Sequence, residues 1–181
     1  MIAAAHAADC TCRSHPLPAA MSVREARDRY LAENGFTMAA YDEPWTQASF
    51  LGLSFAVPNT KQHRWAIMLH DLHHVATGFG TDLAGEAEIS AWEVRGGVRA
   101  LGLYVASIVL AGASMGVLGW PRRTLRAFRG SRGAPALWSR AVEYERVLSM
   151  GVGELRALLG VPRDGLAEAP RGLHAKAPVA A

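Results

Sequence analysis

Hydrophobic residues recur at spacings of three and four along most of the chain, and short runs of Gly, Pro, Asn and Thr separate these stretches. In the segment 136–150, for example, Leu137, Ala141, Tyr144 and Leu148 would line one face of a helix. No stretch alternates convincingly between polar and apolar residues. The pattern therefore predicts an all-α fold, a single-domain helical bundle.

Capping residues set the predicted helix boundaries. Ser22 with Glu25 forms a capping box that begins the first helix, and Asn34-Gly35 ends it. The predicted helices span about 23–33, 45–55, 61–76, 82–94, 98–120, 121–130, 136–150 and 153–159. The predicted organisation is a disordered tail at 1–20, a helical domain at 22–163 and a loose C-terminal tail at 164–181.

The predicted helix at 61–76 contains four of the seven histidines of the chain. At about 100° per residue, His70, Asp71 and His74 fit one arc of this helix. His73 falls outside that arc, and we expect it to pack, cap or face solvent. This helix is therefore the candidate carrier of a metal site.

Glu86 adds a fourth ligand candidate. The glycine-containing turn at 77–81 predicts a helix hairpin, which would return Glu86 to face the histidine helix. Two imidazoles and two carboxylates suit Zn, Mn or Fe(II), and with open coordination positions such a site could act as a Lewis acid. We expect Glu88 and Glu93 to be solvated helix acids, and His63 to lie on the surface or to support a ligand from behind. The predicted metal ligands are His70, Asp71, His74 and Glu86.

A long uncharged segment covers residues 100–120, and as a helix it would span about 31 Å, enough for a bilayer core. Glycines and serines dilute its hydrophobicity, and Gly112 and Gly116 stand at the spacing that allows close helix packing or leaves room for a lipid tail. Three alternatives stay open: a buried or lipid-lining helix, insertion at the membrane interface, and a transmembrane span. The hydrophobic content of 50% favours some contact with lipid.

Charge is unevenly distributed, although the net charge is only +3. No acid lies between Glu93 and Glu143, and the basic residues of that interval are Arg95, Arg99, Arg122, Arg123, Arg126, Arg129, Arg132 and Arg140. Such a block could meet anionic headgroups or phosphates, although a GC-rich genome would also favour arginine. No nucleic-acid-binding motif is recognisable, so we expect no nucleic-acid partner.

The two cysteines, Cys10 and Cys12, are too close in sequence for an ordinary structural disulfide, which indicates a reducing compartment. The first ten residues contain no Lys or Arg, so the positive region of a secretory signal is missing. We therefore expect a cytoplasmic location. His6 and His15 with the cysteines could bind a soft metal, but such a tail is more often unstructured.

The motif residues resemble a known family. His70 through Phe79, Thr81-Asp82 and Gly85-Glu86 are similar to the coenzyme Q (ubiquinone) biosynthesis family with the zinc-binding motif HDxxH followed, after eleven residues, by Glu. A second stretch supports the resemblance, namely Tyr144-Glu145-Arg146, Gly153-Glu154-Leu155-Arg156 and Leu159-Gly160-Val161. The similarity covers about residues 24–161, and the first motif is specific.

The resemblance implies an all-helical, membrane-peripheral protein with an apolar groove for a polyprenyl tail. Under it, His70, Asp71, His74 and Glu86 map onto the family's metal ligands, and the cofactor is a divalent metal, zinc first, with iron and manganese as alternatives. The implied activity is oxidative decarboxylation at ring carbon 1 of a polyprenylated 4-hydroxybenzoate intermediate. The alternative is a non-catalytic polyprenyl-lipid-binding scaffold with a structural metal. The implied partners are the polyprenylated precursor, the inner-membrane surface, other quinone-biosynthesis proteins and, as an option, a second copy of the chain.

Overall fold

A computed structural model describes residues 16–50 and 53–167, and the predictions for residues 1–15 and 168–181 lie outside that range. Within it the chain forms seven α-helices, three short 3-10 helices and one β-hairpin, which confirms the all-α fold class. The helices and strands are α1 (Val23–Glu33), β1 (Trp45–Phe50), β2 (Leu53–Pro58), α2 (Lys61–Thr77), α3 (Leu83–Gly96), α4 (Gly102–Gly119), α5 (Pro121–Gly130), α6 (Tyr144–Leu148) and α7 (Val152–Leu158). The 3-10 helices are Met38–Asp42, Arg99–Leu101 and Leu137–Ser139.

Side-chain caps begin the helices that build the site. Ser22, Thr60 and Asp82 each accept a hydrogen bond from the backbone N–H three residues ahead, at 3.2, 3.1 and 2.7 Å. These bonds satisfy N–H groups that have no partner within the helix. The predicted starts of α1 and α2 are therefore confirmed, because capping depends only on residues a few positions apart. Helix α3 begins at Leu83, one residue later than predicted, and Asp82 is its cap.

The helix predicted at 45–55 is wrong. The described residues of this segment belong to the two strands of an antiparallel pair, in which Trp45 pairs with Pro58 and Phe50 pairs with Leu53. Short apolar runs with aromatic and β-branched residues fit a strand as well as a helix. Backbone pairing of 45–50 with 53–58 favours the strand over the helix.

The long helix predicted at 136–150 is also wrong, since only a 3-10 helix and the five-residue α6 form there. The backbone N–H of Leu137 donates to His73 Nε2 at 3.1 Å. The indole of Trp138 donates to the carbonyl oxygen of Gly97 at 2.7 Å. These contacts fix the segment to α2 and to the end of α3. They hold it in short helical pieces in place of the predicted continuous helix.

Helix α3 packs against α4 and α5. Glu88, which we expected to be solvated, is buried on α3 and accepts from Arg123 at 2.6 Å and from Arg126 at 3.1 Å. The two guanidinium groups offset the desolvation cost of the buried carboxylate charge and link α3 to α5. Small residues bring α4 close to the same helices: a Cβ placed on Gly116 would lie 2.8 Å from the Cβ of Ala87.

Helix α4 leaves much of its apolar surface exposed. Among the described residues, the segment Arg99–Gly119 is the one helical stretch long and apolar enough to cross a membrane, and 28% of its apolar 18-residue window is buried. Leu103 and Leu118 are 93% and 86% exposed. An apolar groove with a cavity volume of about 440 Å³ also runs between α3, α4 and α5, with Val117 and Phe128 among its lining residues. The exposed side of α4 and the groove together form an apolar surface whose exposure to water is unfavourable.

Candidate metal centre

Helices α2 and α3 bring three of the four predicted ligands together. His70 and His74 lie one turn apart on α2, and Glu86 faces them from the first turn of α3. One ligand atom from each of these residues lies within 4.8 Å of the other two. This group can hold a metal ion.

Hydrogen bonds on the outer side of each imidazole fix which nitrogen faces the centre. His74 Nδ1 lies 3.0 Å from the carbonyl oxygen of Phe79, and because a carbonyl only accepts, Nδ1 must carry the hydrogen. His70 Nδ1 donates to Glu93 Oε1 at 2.8 Å. The Nε2 atoms of both rings therefore point to the centre, where they lie 3.1 Å apart.

The spacing of these atoms fits a tetrahedral metal. Zinc bonds of about 2.0 to 2.2 Å at tetrahedral angles would place neighbouring ligand atoms about 3.4 Å apart. The two Nε2 atoms are 3.1 Å apart, and Glu86 places one carboxylate oxygen 3.5 Å from His70 Nε2 and the other 3.6 Å from His74 Nε2. Two histidines and one glutamate are also a ligand set of catalytic zinc sites, which keep one coordination position for water or substrate. The donors present thus suit a divalent metal ion.

Asp71 lies outside this three-residue group. Its buried carboxylate accepts a hydrogen bond from the hydroxyl of Tyr41 through Oδ2. Burial, and then the negative charge of Asp71, raise the pKa of Tyr41 well above its usual value, so the phenol keeps its proton and remains a donor. The assignment of Asp71 as a fourth ligand stays a prediction.

The ionisation of the group follows from its burial and its carboxylates. Burial lowers the pKa of His70, but Glu93 and Glu86 outweigh burial and raise that pKa to about 10. Burial lowers the pKa of His74 to about 4. For Glu86, burial would raise the pKa, but the two histidines outweigh it and lower the pKa to about 2. Near neutral pH the ligands are therefore a cationic His70, a neutral His74 and an ionised Glu86.

His73 and Glu93 are part of the site's support, which the sequence reasoning missed. Both are fully buried, so the expectation of a solvated Glu93 is wrong. His73 Nδ1 donates to the same Glu93 Oε1 at 2.8 Å. Glu93 follows Glu86 by seven residues, which places both on one face of α3, and this spacing is the signal that could have found it.

A small cleft with a cavity volume of about 40 Å³ opens beside the ligand group. Its polar residues include His70, Glu86 and Glu93, and α4 contributes Val105 and Val109. His63 also lines the cleft and is buried, so the expected surface position is wrong. A ligand in this cleft would contact the metal group at one side and apolar side chains at the other.

Comparison with known proteins gives no match to a family model, to a curated protein or to a solved structure. The geometry of the centre, the cleft beside it and the motif itself are therefore the features that point to a function.

Proposed function

We propose that this chain is a metal-dependent, membrane-associated protein of ubiquinone biosynthesis. The proposed reaction is oxidative decarboxylation of a polyprenylated 4-hydroxybenzoate intermediate. The observation that carries the proposal is the single cleft that His70 and Glu86 share with Val105 and Val109 of α4. A substrate with a carboxylated ring and a long apolar tail has the two chemistries that this cleft offers.

His70, His74 and Glu86 would hold the ion, which is proposed to be zinc, with iron or manganese as alternatives. A bound divalent metal would supply a Lewis acid for the carboxylate and ring oxygens of the substrate. The apolar side chains from α4 would exclude water around the ring and orient the tail away from the ligands. In the proposed reaction, ring carbon 1 loses carbon dioxide and gains a hydroxyl, a change that removes two electrons. Dioxygen is the proposed oxidant: together with one water molecule it supplies the hydroxyl group, accepts the two electrons and leaves as hydrogen peroxide.

Attachment to the cytoplasmic face of the inner membrane is proposed from the exposed side of α4. Leu103, Val117 and Leu118 are exposed on that helix. The adjoining α5 carries an exposed Leu125 together with the exposed Arg122 and Arg129. Apolar side chains beside arginines suit an interface between acyl chains and anionic headgroups.

A second candidate function is a non-catalytic scaffold that binds polyprenyl lipid and organises other quinone-biosynthesis proteins. The apolar groove between α3, α4 and α5 favours it, because this groove is larger than the cleft and none of its lining residues belongs to the ligand group. In that role the metal would fasten α2 to α3 and perform no chemistry.

Complementation of a ubiquinone-deficient strain separates the two functions. Wild type, His74→Ala, Glu86→Ala and, as a control, the exposed Glu43→Ala would be expressed, and quinone and its precursors would be measured by mass spectrometry. The enzyme proposal expects loss of quinone and accumulation of a precursor that keeps its carboxyl group in the two ligand variants only. Full restoration of quinone by folded ligand variants would refute a catalytic metal. Quinone loss without that precursor would favour the scaffold.

Membrane attachment is tested on the purified protein by flotation with vesicles of anionic and neutral lipid. Peripheral binding expects flotation with anionic vesicles and release when the salt concentration is raised. Retention that only detergent reverses would indicate a spanning α4, and failure to float with either lipid would refute the membrane proposal.

A further inference from the structure

Glu93 has no contact with solvent, yet it accepts hydrogen bonds from two imidazoles through one oxygen atom. His70 Nδ1 and His73 Nδ1 both lie 2.8 Å from Glu93 Oε1. A carboxylate without solvent contact has a large desolvation cost that these two donors offset. Such a costly arrangement at the back of a ligand group calls for a role beyond packing.

The two histidines differ in what their second nitrogen does. His73 Nε2 accepts from the backbone N–H of Leu137 at 3.1 Å, so His73 is a neutral ring with both nitrogens occupied. His70 Nε2 instead faces His74 and Glu86 at the centre. Glu93 therefore holds one ring that can bind a metal and one that cannot.

We infer that Glu93 is the positioning residue of the metal centre: by accepting from His70 Nδ1 it fixes the ring tautomer and direction, so that Nε2 is the metal-binding nitrogen. A carboxylate behind a metal-bound imidazole also makes that ring a stronger donor. His73 acts as the anchor of Glu93, because it ties the same oxygen to the 3-10 helix that begins at Leu137. The inference rests on the proposed metal site and adds the residue that orients it.

Glu93→Gln tests the inference with little change in side-chain shape, and Glu88→Gln is its matched control. Both glutamates are buried on α3, but Glu88 pairs with Arg123 and Arg126 and touches none of the ligands. Zinc affinity would be measured by competition with a chromophoric chelator on full-length protein, and folding by circular dichroism. We expect Glu93→Gln to bind zinc about 10- to 100-fold more weakly than wild type. We expect Glu88→Gln to lose stability and to keep the wild-type affinity.

Equal zinc affinity of folded Glu93→Gln and wild type would overturn the positioning role. Equal weakening in both variants would also overturn it, because the loss would then follow from general destabilisation. If wild type itself binds no stoichiometric zinc, the proposed metal site fails, and that outcome is distinct from the first two.

Wild-type protein supplies a second measurement in case Glu93→Gln does not fold. Long-range proton–nitrogen NMR spectra of the zinc-loaded protein report which nitrogen of each histidine carries hydrogen. We expect His70 to keep hydrogen on Nδ1 and to bind zinc through Nε2. Zinc on His70 Nδ1, or a loss of that hydrogen, would refute the inference.

Discussion

Replacing Gly116 by alanine tests whether α4 packs on the protein or leaves it for a membrane. A Cβ at this position would lie 2.6 Å from Thr124 Oγ1 and 2.8 Å from the Cβ of Ala87. Neither neighbour can move easily, because Thr124 Oγ1 donates to the carbonyl oxygen of Trp120 at 2.9 Å and Ala87 is buried on α3. The added methyl group therefore forces α4 away from α3 and α5.

The size of the effect follows from two opposing contributions. Overpacking of this kind costs about 1 to 3 kcal/mol. Alanine is favoured over glycine in a helix by at most about 1 kcal/mol, which offsets part of that cost. Gly119→Ala is the matched control, since nothing lies within 4 Å of a Cβ placed there. We expect the two variants to differ by about 1 to 3 kcal/mol in the free energy of unfolding, with Gly116→Ala the less stable.

Urea denaturation followed by circular dichroism measures this difference, and thermal unfolding should show melting temperatures separated by roughly 2 to 4 °C per kcal/mol. Equal stability of the two variants would refute the close packing of α4 on α3 and α5. Repeating the comparison with anionic vesicles extends the test. If the difference disappears there, α4 leaves the helical core when it meets lipid.

Two further predictions concern the metal and the fold beneath it. Zinc binding near pH 7 should release about one proton, because the pKa of His70 is about 10 while those of His74 and Glu86 are about 4 and 2. Calorimetry in buffers of different ionisation enthalpy measures the number of protons released. Affinity should accordingly rise about tenfold per pH unit between roughly pH 7 and 9, and release of no proton or of two would contradict the assigned ionisation. Arg156→Met should destabilise the fold by about 1 to 3 kcal/mol in urea denaturation, since the buried guanidinium donates to the carbonyl oxygens of Ala76 at 2.8 Å and Arg163 at 2.6 Å. The exposed Arg146→Met should have little effect, and equal losses in the two variants would show that those two bonds contribute nothing.

The residues of the candidate site divide by the range of the interactions that place them. His70 and His74 share a helix face because of the helical period, and Asp82 begins α3 by a contact to a residue three positions ahead. A short turn then suffices to bring Glu86 opposite the histidines. For these residues local geometry determines the outcome, and the sequence predicted it, although it placed the start of α3 one residue too early.

Glu93 shows what only the tertiary structure decided. Its partners His70 and His73 lie 23 and 20 residues away, and its burial depends on helices that the pattern of α3 alone does not place. The same holds for Glu88, whose compensating arginines lie 35 and 38 residues away. An acid on a helix is solvated unless distant groups replace its water, so neither burial could be derived locally.

The two wrongly predicted segments have the same physical cause. In the first, β1 pairs with β2, and in the second the N–H of Leu137 bonds to His73, 64 residues away. Hydrophobic spacing determines which residues can share a face, and capping determines where a helix can begin. Which hydrogen-bonding partner a backbone group finds, and whether a charge loses its water, depends on the packing of the whole chain.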